Sequence, residues 1–250
     1  MVPFRAMITS SQNAHFKQLR ELHKKRERDR TGLFVVEGEK EIAKCQTVIK
    51  LYYTERTPFV DACPAETVQL SKALFARIAY RERGVIAIAQ QKLYALKELS
   101  SARSLLILEG VEKPGNVGAI LRTAKAAGVD GIILCNSPVD LFHPNVIRSS
   151  LGCSLTQTVV STTTAQTMTF LQQQGFSCVI ATPGASISCF QHTYKEPFAI
   201  VVGSEAHGVS DAWNAMSVEK VQIPMNEGVD SLNVSVSAAI ILYYAQFGAR

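Results

Sequence analysis

The chain has 250 residues, 47% of them hydrophobic and 19% charged, with a formal net charge of +5. This is a globular composition, long enough for two ordinary domains. No stretch approaches the roughly 18 consecutive apolar residues of a membrane span, and the first residues lack the apolar core of a signal peptide. The six cysteines form no C-x-x-C pair and no His–Cys cluster, so no metal site is expected, and reduced thiols favour a cytoplasmic protein.

The positive charge is concentrated in the first part of the chain. Residues 1–100 carry 18 Lys and Arg against 11 Asp and Glu, a balance of +7, whereas residues 101–250 carry 8 against 10, a balance of −2. This asymmetry indicates that the first part meets a polyanion.

The most basic segment, HKKRERDR at 23–30, ends a stretch in which Phe16, Leu19 and Leu22 fall at helical spacing. That spacing predicts one amphipathic helix, capped by Ser10 or Ser11. Its basic end is either a solvated helix face or a phosphate-binding surface. The second alternative makes four residues candidate RNA contacts: Lys24, Lys25, Arg26 and Arg28.

The segments that follow alternate between strand and helix patterns. GLFVVEG, VIKLYYT and GVIAIAQ are predicted strands, whereas EKEIAKCQ and SKALFARIAY are predicted helices. A small α/β domain is therefore expected over residues 1–99, followed by a short polar linker, SSARS at 100–104.

Strand-then-helix units continue after residue 104. LLILEGV, GIILCN, TQTVV, SCVIAT, FAIVVG and VQIPM are predicted strands, with helices over 113–128, HPNVIRSSLG, TAQTMTFLQQQG and 233–247. Apolar, β-branched strands of this kind are typical of a parallel sheet that is buried on both faces. An open α/β domain is expected over 104–250, and its terminal helix is apolar enough to require burial, in the core or at a dimer interface.

Polar residues gather in three loops that follow strands: KPGNVGAILRTAKAAG (113–128), VVGSEAHGVS (201–210) and IPMNEGVDSLN (223–233). In open α/β sheets ligands bind at the carboxyl ends of the strands. The first loop is spaced G-x-x-G, so it fits neither the dinucleotide fingerprint G-x-G-x-x-G nor a Walker loop.

The order NVGAILRTA, VVGSEAHGVS and IPMNEGVDSLNVSVSAAI resembles the three signature motifs of the SpoU (TrmH-type) RNA 2′-O-ribose methyltransferases, in the SPOUT superfamily. The segment ITSSQNAHFKQLRELHKKRERDRTGLFVVEG is similar to the start of that family's L30e-like substrate-binding domain. The resemblance implies a C-terminal SPOUT domain with a deep trefoil knot, bent S-adenosylmethionine bound in the knot, a homodimer, and 2′-O-methylation of structured RNA, ribosomal RNA in preference to transfer RNA.

The resemblance also assigns roles to residues. Arg122 matches the catalytic arginine; because a guanidinium loses its proton only above about pH 12, Arg122 can instead fix a substrate phosphate while another group takes the proton. Asn116 is expected as a helix N-cap, an active-site residue or both, and Glu205 could pair with Arg122 or orient a neighbouring loop. Further catalytic candidates are Ser231 and Asn233, the cofactor-binding candidates are Gly203, Ile223, Met225 and Leu232, and Arg148 is a further RNA contact.

Two alternatives remain at this point. A non-catalytic RNA-binding or ribosome-assembly factor could keep the same fold, although Asn116, Arg122, Glu205 and Asn233 are all intact. A base-methylating enzyme of the same superfamily lacks support, because the motif residues are those of the ribose-methylating branch.

Overall fold

The computed structural model describes residues 7–81 and 83–248. The chain forms two compact units: unit 1 holds the chain up to Lys92 together with Asp140–Thr156, and unit 2 holds Leu93–Val139 and the chain from Gln157 onwards. Positions 1–6 and 249–250, at the outer ends of the two predicted domains, lie outside the described residues. No helix in the described ranges has the length and apolarity needed to cross a membrane.

Unit 1 combines short helices with a mixed sheet. Its strands are β1 Leu33–Glu37, β2 Val48–Tyr53, β3 Glu66–Gln69 and β4 Val85–Gln90; its helices are α1 Ala14–Glu21, α2 Lys25–Thr31, α3 Glu39–Ile42, α4 Pro58–Asp61, α5 Lys72–Phe75 and, later in the chain, α7 Pro144–Ser149. The sheet order is β1-β4-β2-β3, with β2 and β3 parallel and the other neighbours antiparallel. The predicted strands β1, β2 and β4 are confirmed, whereas the sequence pattern does not predict β3 or α4.

The prediction of one continuous helix before β1 is wrong. The chain breaks between α1 and α2, and Asn13, not Ser10 or Ser11, caps α1 by accepting a hydrogen bond from the His15 amide. The break leaves the Leu22 carbonyl without a helical partner, and the Arg28 guanidinium donates a hydrogen bond to it at 2.9 Å. A buried donor therefore satisfies the carbonyl that the break exposes.

Helix α1 packs on the sheet through the apolar residues that the sequence pattern selects. Phe16, Leu19 and Leu22 are almost completely buried, and the two leucines join a core that contains Val35, Tyr52 and other strand residues. Burying each such side chain contributes about 1.5–3 kcal/mol relative to leaving it exposed. Helical spacing therefore identifies the buried face even where it misplaces the helix ends.

Unit 2 is a parallel seven-stranded sheet in the order β7-β6-β5-β10-β8-β11-β9. Its strands are β5 Ser104–Glu109, β6 Gly131–Cys135, β7 Thr158–Thr162, β8 Ser177–Ala181, β9 Ile187–Ser188, β10 Phe198–Val202 and β11 Val218–Gln222; its helices are α6 Pro114–Ala127, α8 Thr164–Gln174 and α9 Val234–Phe247. The central strands are buried throughout, as parallel strands covered on both faces must be. The predicted open parallel sheet is confirmed.

The compact units divide at different residues from the predicted domains. The segment predicted as a linker belongs to unit 2: Ala102 packs against its core, and Ser104 begins β5. Residues 140–156, predicted within the C-terminal domain, belong to unit 1, because α7 packs on β1. Composition identifies polar segments but carries no information on which core a segment joins.

Within this chain, helix α9 is buried along one face only. Val234, Ala238, Ile241 and Leu242 are buried, whereas Val236, Tyr243 and Phe247 are exposed. Asn233 caps the helix, as the sequence indicates, by accepting a hydrogen bond from the Ser235 amide at 2.9 Å. One face of α9 therefore packs against the unit and the opposite face presents apolar side chains to the outside.

Candidate active site

A cavity of about 290 Å³ lies in unit 2 where β8, β10 and β11 end. Its size is at the lower end of the range for small-molecule pockets, roughly 300 Å³ and above, and its lining is mainly apolar. All four residues predicted to bind cofactor line it: Gly203, Ile223, Met225 and Leu232. The structure thus brings together residues from two separate sequence motifs at the carboxyl edge of the sheet, where ligands of such sheets bind.

Gly203 allows the loop after β10 to fold back on itself. A Cβ atom at Gly203 would overlap the backbone of Gly208 and Val209, and Ser204 and Gly208 form a two-residue antiparallel bridge across the turn. Backbone atoms cannot move aside as a flexible side chain could. Glycine is therefore required here for a close backbone approach that shapes the cavity wall.

Sequence reasoning missed part of the lining. Ala181, at the end of β8, and the following Thr182 and Pro183 also line the cavity. A signal was present in the sequence, because the TPG tripeptide follows an apolar strand, and ligands of open α/β sheets bind at the carboxyl ends of the strands.

Three of the predicted catalytic residues form a hydrogen-bonded chain at the edge of this cavity. The Asn116 side-chain amide donates to Glu205, which lines the cavity, and the Asn116 carbonyl oxygen accepts from the Asn233 amide at 3.3 Å. Asn233 is fixed in turn, because its own carbonyl oxygen accepts from the Ser235 hydroxyl at 2.6 Å and from the Ser235 amide. One asparagine therefore joins the three motif loops, which lie up to 117 residues apart in sequence.

The start of α6 differs from the expectation. Lys113 occupies the N-cap position without a side-chain cap and Pro114 follows it, so Asn116 lies in the first helical turn and its side chain is available for the contacts just described. The Lys113 ammonium lies 3.6 Å from the Glu205 carboxylate. Glu205 therefore pairs with Lys113 and Asn116, not with Arg122, and sequence reasoning missed Lys113.

Arg122 and Ser231 stand apart from this chain of hydrogen bonds. Arg122 is exposed on α6, and within residues 7–81 and 83–248 its guanidinium has neither a hydrogen-bond partner nor an ion-pair partner. Ser231 lines the cavity beside Leu232. An uncompensated guanidinium on an accessible face is suited to bind an external anion such as a phosphate.

A buried carboxylate supports the loop that carries Glu205, and sequence reasoning missed it. Glu109, at the end of β5, is 5% exposed and accepts hydrogen bonds from the Ser210 amide at 2.7 Å, the Ser210 hydroxyl at 2.9 Å and the Thr164 hydroxyl at 2.6 Å. A buried carboxylate is tolerated when its oxygens are satisfied in this way. The available signal was an acidic residue that directly follows the apolar run LLIL.

The cysteines take no part in the site. All six are free, and Cys135, Cys178 and Cys189 are buried, in agreement with the expectation of reduced thiols. Burial raises the pKa of the Cys135 and Cys178 thiols to about 12. Neither thiol forms a nucleophilic thiolate at neutral pH.

The basic run of unit 1 is largely neutralised by its own acidic residues. Lys24 pairs with Glu21 at 2.7 Å, and Lys25 pairs with Asp29 at 2.6 Å. Among the residues that the structure describes, Arg26 has no such partner. Local pairs of this kind weaken the positive potential that the composition of the segment indicates.

Arg28 is the one member of the run whose predicted role the structure opposes. It is 1% exposed, and its guanidinium pairs with Asp140, with Nε to Oδ2 at 2.7 Å and Nη2 to Oδ2 at 2.6 Å. A side chain held in this way cannot reach an RNA phosphate, so Arg28 leaves the set of proposed contacts. Arg148, by contrast, is exposed on α7.

The fold and the cavity define an α/β protein with a small-molecule pocket at the carboxyl edge of a parallel sheet. Polar loops that are hydrogen-bonded to one another border this pocket. The chain belongs to the SpoU rRNA Methylase family, whose model matches residues 103–243, and a model of the MRM3-like substrate binding domain matches residues 13–89. The two matches follow one another along the chain, as expected for a substrate-binding region before a methylase domain.

Individual relatives agree with this assignment over nearly the whole chain. An uncharacterized tRNA/rRNA methyltransferase of Synechocystis is 32% identical over 96% of this chain and 93% of its own length. The 23S rRNA guanosine 2′-O-methyltransferase RlmP of Bacillus subtilis is 29% identical over 95% of this chain and 98% of its own. A crystal structure of an RNA 2′-O ribose methyltransferase superposes with a TM-score of 0.84 at 31% identity, covering 97% of this chain and 99% of that one.

Proposed function

We propose that this protein transfers the methyl group of S-adenosylmethionine to a ribose 2′-hydroxyl of structured ribosomal RNA. The observation that carries the proposal is the set of hydrogen bonds that joins Glu205, Asn116 and Asn233. These bonds connect the three family motifs beside a cavity whose size and lining suit a small-molecule cofactor. Family membership supplies the reaction type, and relatives such as RlmP, named for 23S rRNA, favour ribosomal over transfer RNA.

The cavity fits the cofactor in size and chemistry. Ile223, Met225 and Leu232 offer apolar surface for an adenine ring, and the tight backbone approach at Gly203 shapes the wall beside them. S-adenosylmethionine, when bound, supplies a methyl group on a sulfonium that an oxygen nucleophile can displace. The residues of this chain have to bind the acceptor ribose, hold it at attack distance and accept or polarise its proton.

The polar groups at the cavity edge are arranged for this task. Arg122 is the exposed, uncompensated cation, so we assign it to a phosphate of the RNA backbone, which fixes the acceptor nucleotide. Asn116 and Asn233 orient one another, and the Glu205 carboxylate is held by Asn116 and Lys113. These contacts hold the site in one geometry before RNA binds, which lowers the reorganisation needed for reaction.

The finer expectations of a trefoil knot, a homodimer and a cytoplasmic location belong to the same proposal. Membership of the SpoU rRNA Methylase family supports the knot. The exposed apolar face of α9, with Val236, Tyr243 and Phe247, supports a subunit interface. Six free cysteines fit a reducing compartment.

The test is methyl transfer from labelled S-adenosylmethionine to unmodified ribosomal RNA, with modified positions mapped by resistance of the 3′ linkage to alkaline cleavage. We expect one protected position, lost in Arg122→Ala and retained in Lys125→Ala, which removes a neighbouring exposed cation of α6. Label on a base would refute ribose methylation. Cofactor and RNA binding without transfer, in free RNA and in precursor ribosomal particles alike, would favour the non-catalytic assembly factor.

A further inference from the structure

Unit 1 carries an exposed aromatic side chain that is fixed at both ends. Tyr80 is 54% exposed, yet its backbone amide donates to Glu37 Oε2 at 2.8 Å and its hydroxyl donates to Asn145 Oδ1 at 2.6 Å. The amide of the next residue, Arg81, donates to the other Glu37 oxygen at 3.0 Å. The hydroxyl contact holds the exposed Tyr80 ring in one orientation, so part of the rotamer freedom that ligand binding would otherwise cost is already lost.

A guanidinium group lies over this ring. The Arg148 Cζ atom is 4.3 Å from the centroid of Tyr80, and Arg148 Nη2 also donates to Asn145 Oδ1 at 3.4 Å. Tyr80, Arg148 and Asn145 thus form one stacked and hydrogen-bonded group, called here the Tyr80 platform. Arginine planes and tyrosine rings are the surfaces on which proteins stack unpaired bases.

The arginines around the Tyr80 platform lie near acidic residues but form no ion pair with them within the described ranges. Within residues 7–81 and 83–248, no acidic side chain forms a salt bridge with Arg81, Arg83 or Arg148. Of the acids nearby, Glu37 accepts from the two backbone amides and Glu41 is buried, whereas Glu39 is exposed in the adjoining groove and Glu55 interacts electrostatically with Arg83. This surface contrasts with α2, where most basic side chains are paired with acidic neighbours.

The space beneath the platform is too small to enclose a nucleoside. The cavity lined by Tyr80, Ile78 and Arg148 holds only about 80 Å³, well below the roughly 300 Å³ of ordinary ligand pockets. An open groove lined by Arg81, Arg83, Lys40 and Lys44 adjoins it and shares Glu37, Glu41, Arg81 and Leu151 with it. The geometry favours binding of RNA on the surface, with one base against the Tyr80 platform and the RNA backbone along the groove.

We propose that the Tyr80 platform stacks an unpaired base of the RNA substrate, while Arg81 and Arg83 bind the flanking phosphates. This inference rests on the proposed function and assigns the single-strand contact of unit 1 to residues other than the basic run at 23–30. Stacking on an aromatic side chain tolerates any base, because every base has a π face. The site would therefore select unpaired over paired RNA and not one sequence.

The test compares binding of a uridine-rich oligoribonucleotide that contains one 2-aminopurine with binding of a blunt RNA duplex of equal length. We expect wild type to quench 2-aminopurine fluorescence. Tyr80→Ala should lose the quenching and weaken single-strand binding on the order of tenfold. Tyr80→Phe keeps the ring and should keep the quenching. Arg81→Ala should lower the salt dependence of binding, whereas Tyr80→Ala should leave it unchanged.

The control variant is Arg56→Ala. Arg56 lies over the Tyr53 ring at 5.8 Å, but that ring is 6% exposed and the guanidinium pairs with Asp61 at 2.5 Å. Its loss should not change single-strand binding, and circular dichroism and cofactor affinity should be unchanged in every variant. Unaltered binding by Tyr80→Ala, or equal dependence on Tyr80 for single strand and duplex, would overturn the platform.

These outcomes separate the platform from the proposed function. Methyl transfer by wild type together with Tyr80-independent binding would refute the platform alone. Tyr80-dependent quenching without any methyl transfer would refute the enzymatic proposal and leave the platform standing. Arg148→Ala serves as a second variant should Tyr80→Ala fail to fold, and it should weaken both quenching and binding.

Discussion

Replacement of Arg28 by alanine is expected to destabilise unit 1, although Arg28 lies in a segment that composition marks as surface. Its guanidinium makes two contacts with Asp140, at 2.6 and 2.7 Å, and a third with the Leu22 carbonyl at 2.9 Å. Side-chain exposure is 2% for Arg28 and 10% for Asp140. Water therefore cannot replace these contacts when the guanidinium is removed.

The expected cost follows from what the substitution leaves behind. Removing one partner of a buried ion pair costs about 3–5 kcal/mol, because the other charge remains buried without compensation. Arg28→Ala also leaves the Leu22 carbonyl without its donor. Replacing both partners by apolar residues, as in Arg28→Met with Asp140→Leu, should cost much less than either single change, since no uncompensated charge remains.

The measurement is urea unfolding followed by far-ultraviolet circular dichroism, alongside the fluorescence of Trp213, the one tryptophan of the chain, which is buried in unit 2. Arg26→Ala is the control, because Arg26 lies two positions away and is exposed. We expect the midpoint to fall for Arg28→Ala and not for Arg26→Ala. Equal midpoints for the two variants would refute the structural role assigned to the buried pair.

Three further predictions concern a glycine, a histidine and a carboxylate. Gly203→Ala should abolish cofactor binding measured by calorimetry, because its Cβ would overlap loop backbone, whereas Gly115→Ala, which meets open space, should not; equal affinities would contradict the close-approach argument. Burial, and then the charge of Arg28, lowers the folded-state pKa of His23 below 6.5. As the pH falls, this histidine therefore takes up a proton in the unfolded chain before it does so in the folded one, and the free energy of unfolding should decrease below about pH 6.5. The dependence of that free energy on pH should be shallower in His23→Gln, and identical slopes would exclude His23 as the cause. Glu109→Leu leaves the Ser210 amide without its acceptor and should cost about 1–3 kcal/mol in thermal unfolding, more than Glu109→Gln; the reverse order would show that hydrogen bonding is not its role.

The sequence by itself determined the parallel sheet, the terminal helix and the place of the site. Apolar runs such as LLIL and IVV are local signals of buried strands, and the Asn233 cap is a local signal of a helix start. Because the carboxyl ends of parallel strands meet at one edge of the sheet, the three motif loops can be placed together without any knowledge of their contacts. The resemblance of those motifs to a known family supplied the reaction and the candidate residues.

Only the tertiary structure decided which polar groups are partners and which are exposed. Arg28 meets Asp140 across 112 positions, and Asn116 meets Glu205 across 89 positions and Asn233 across 117. The pattern of a segment reports its own periodicity and charge, but the partner of a side chain is set by chain folding over distances that no local pattern covers. A buried arginine and an exposed one therefore look alike in HKKRERDR, and packing alone distinguishes them.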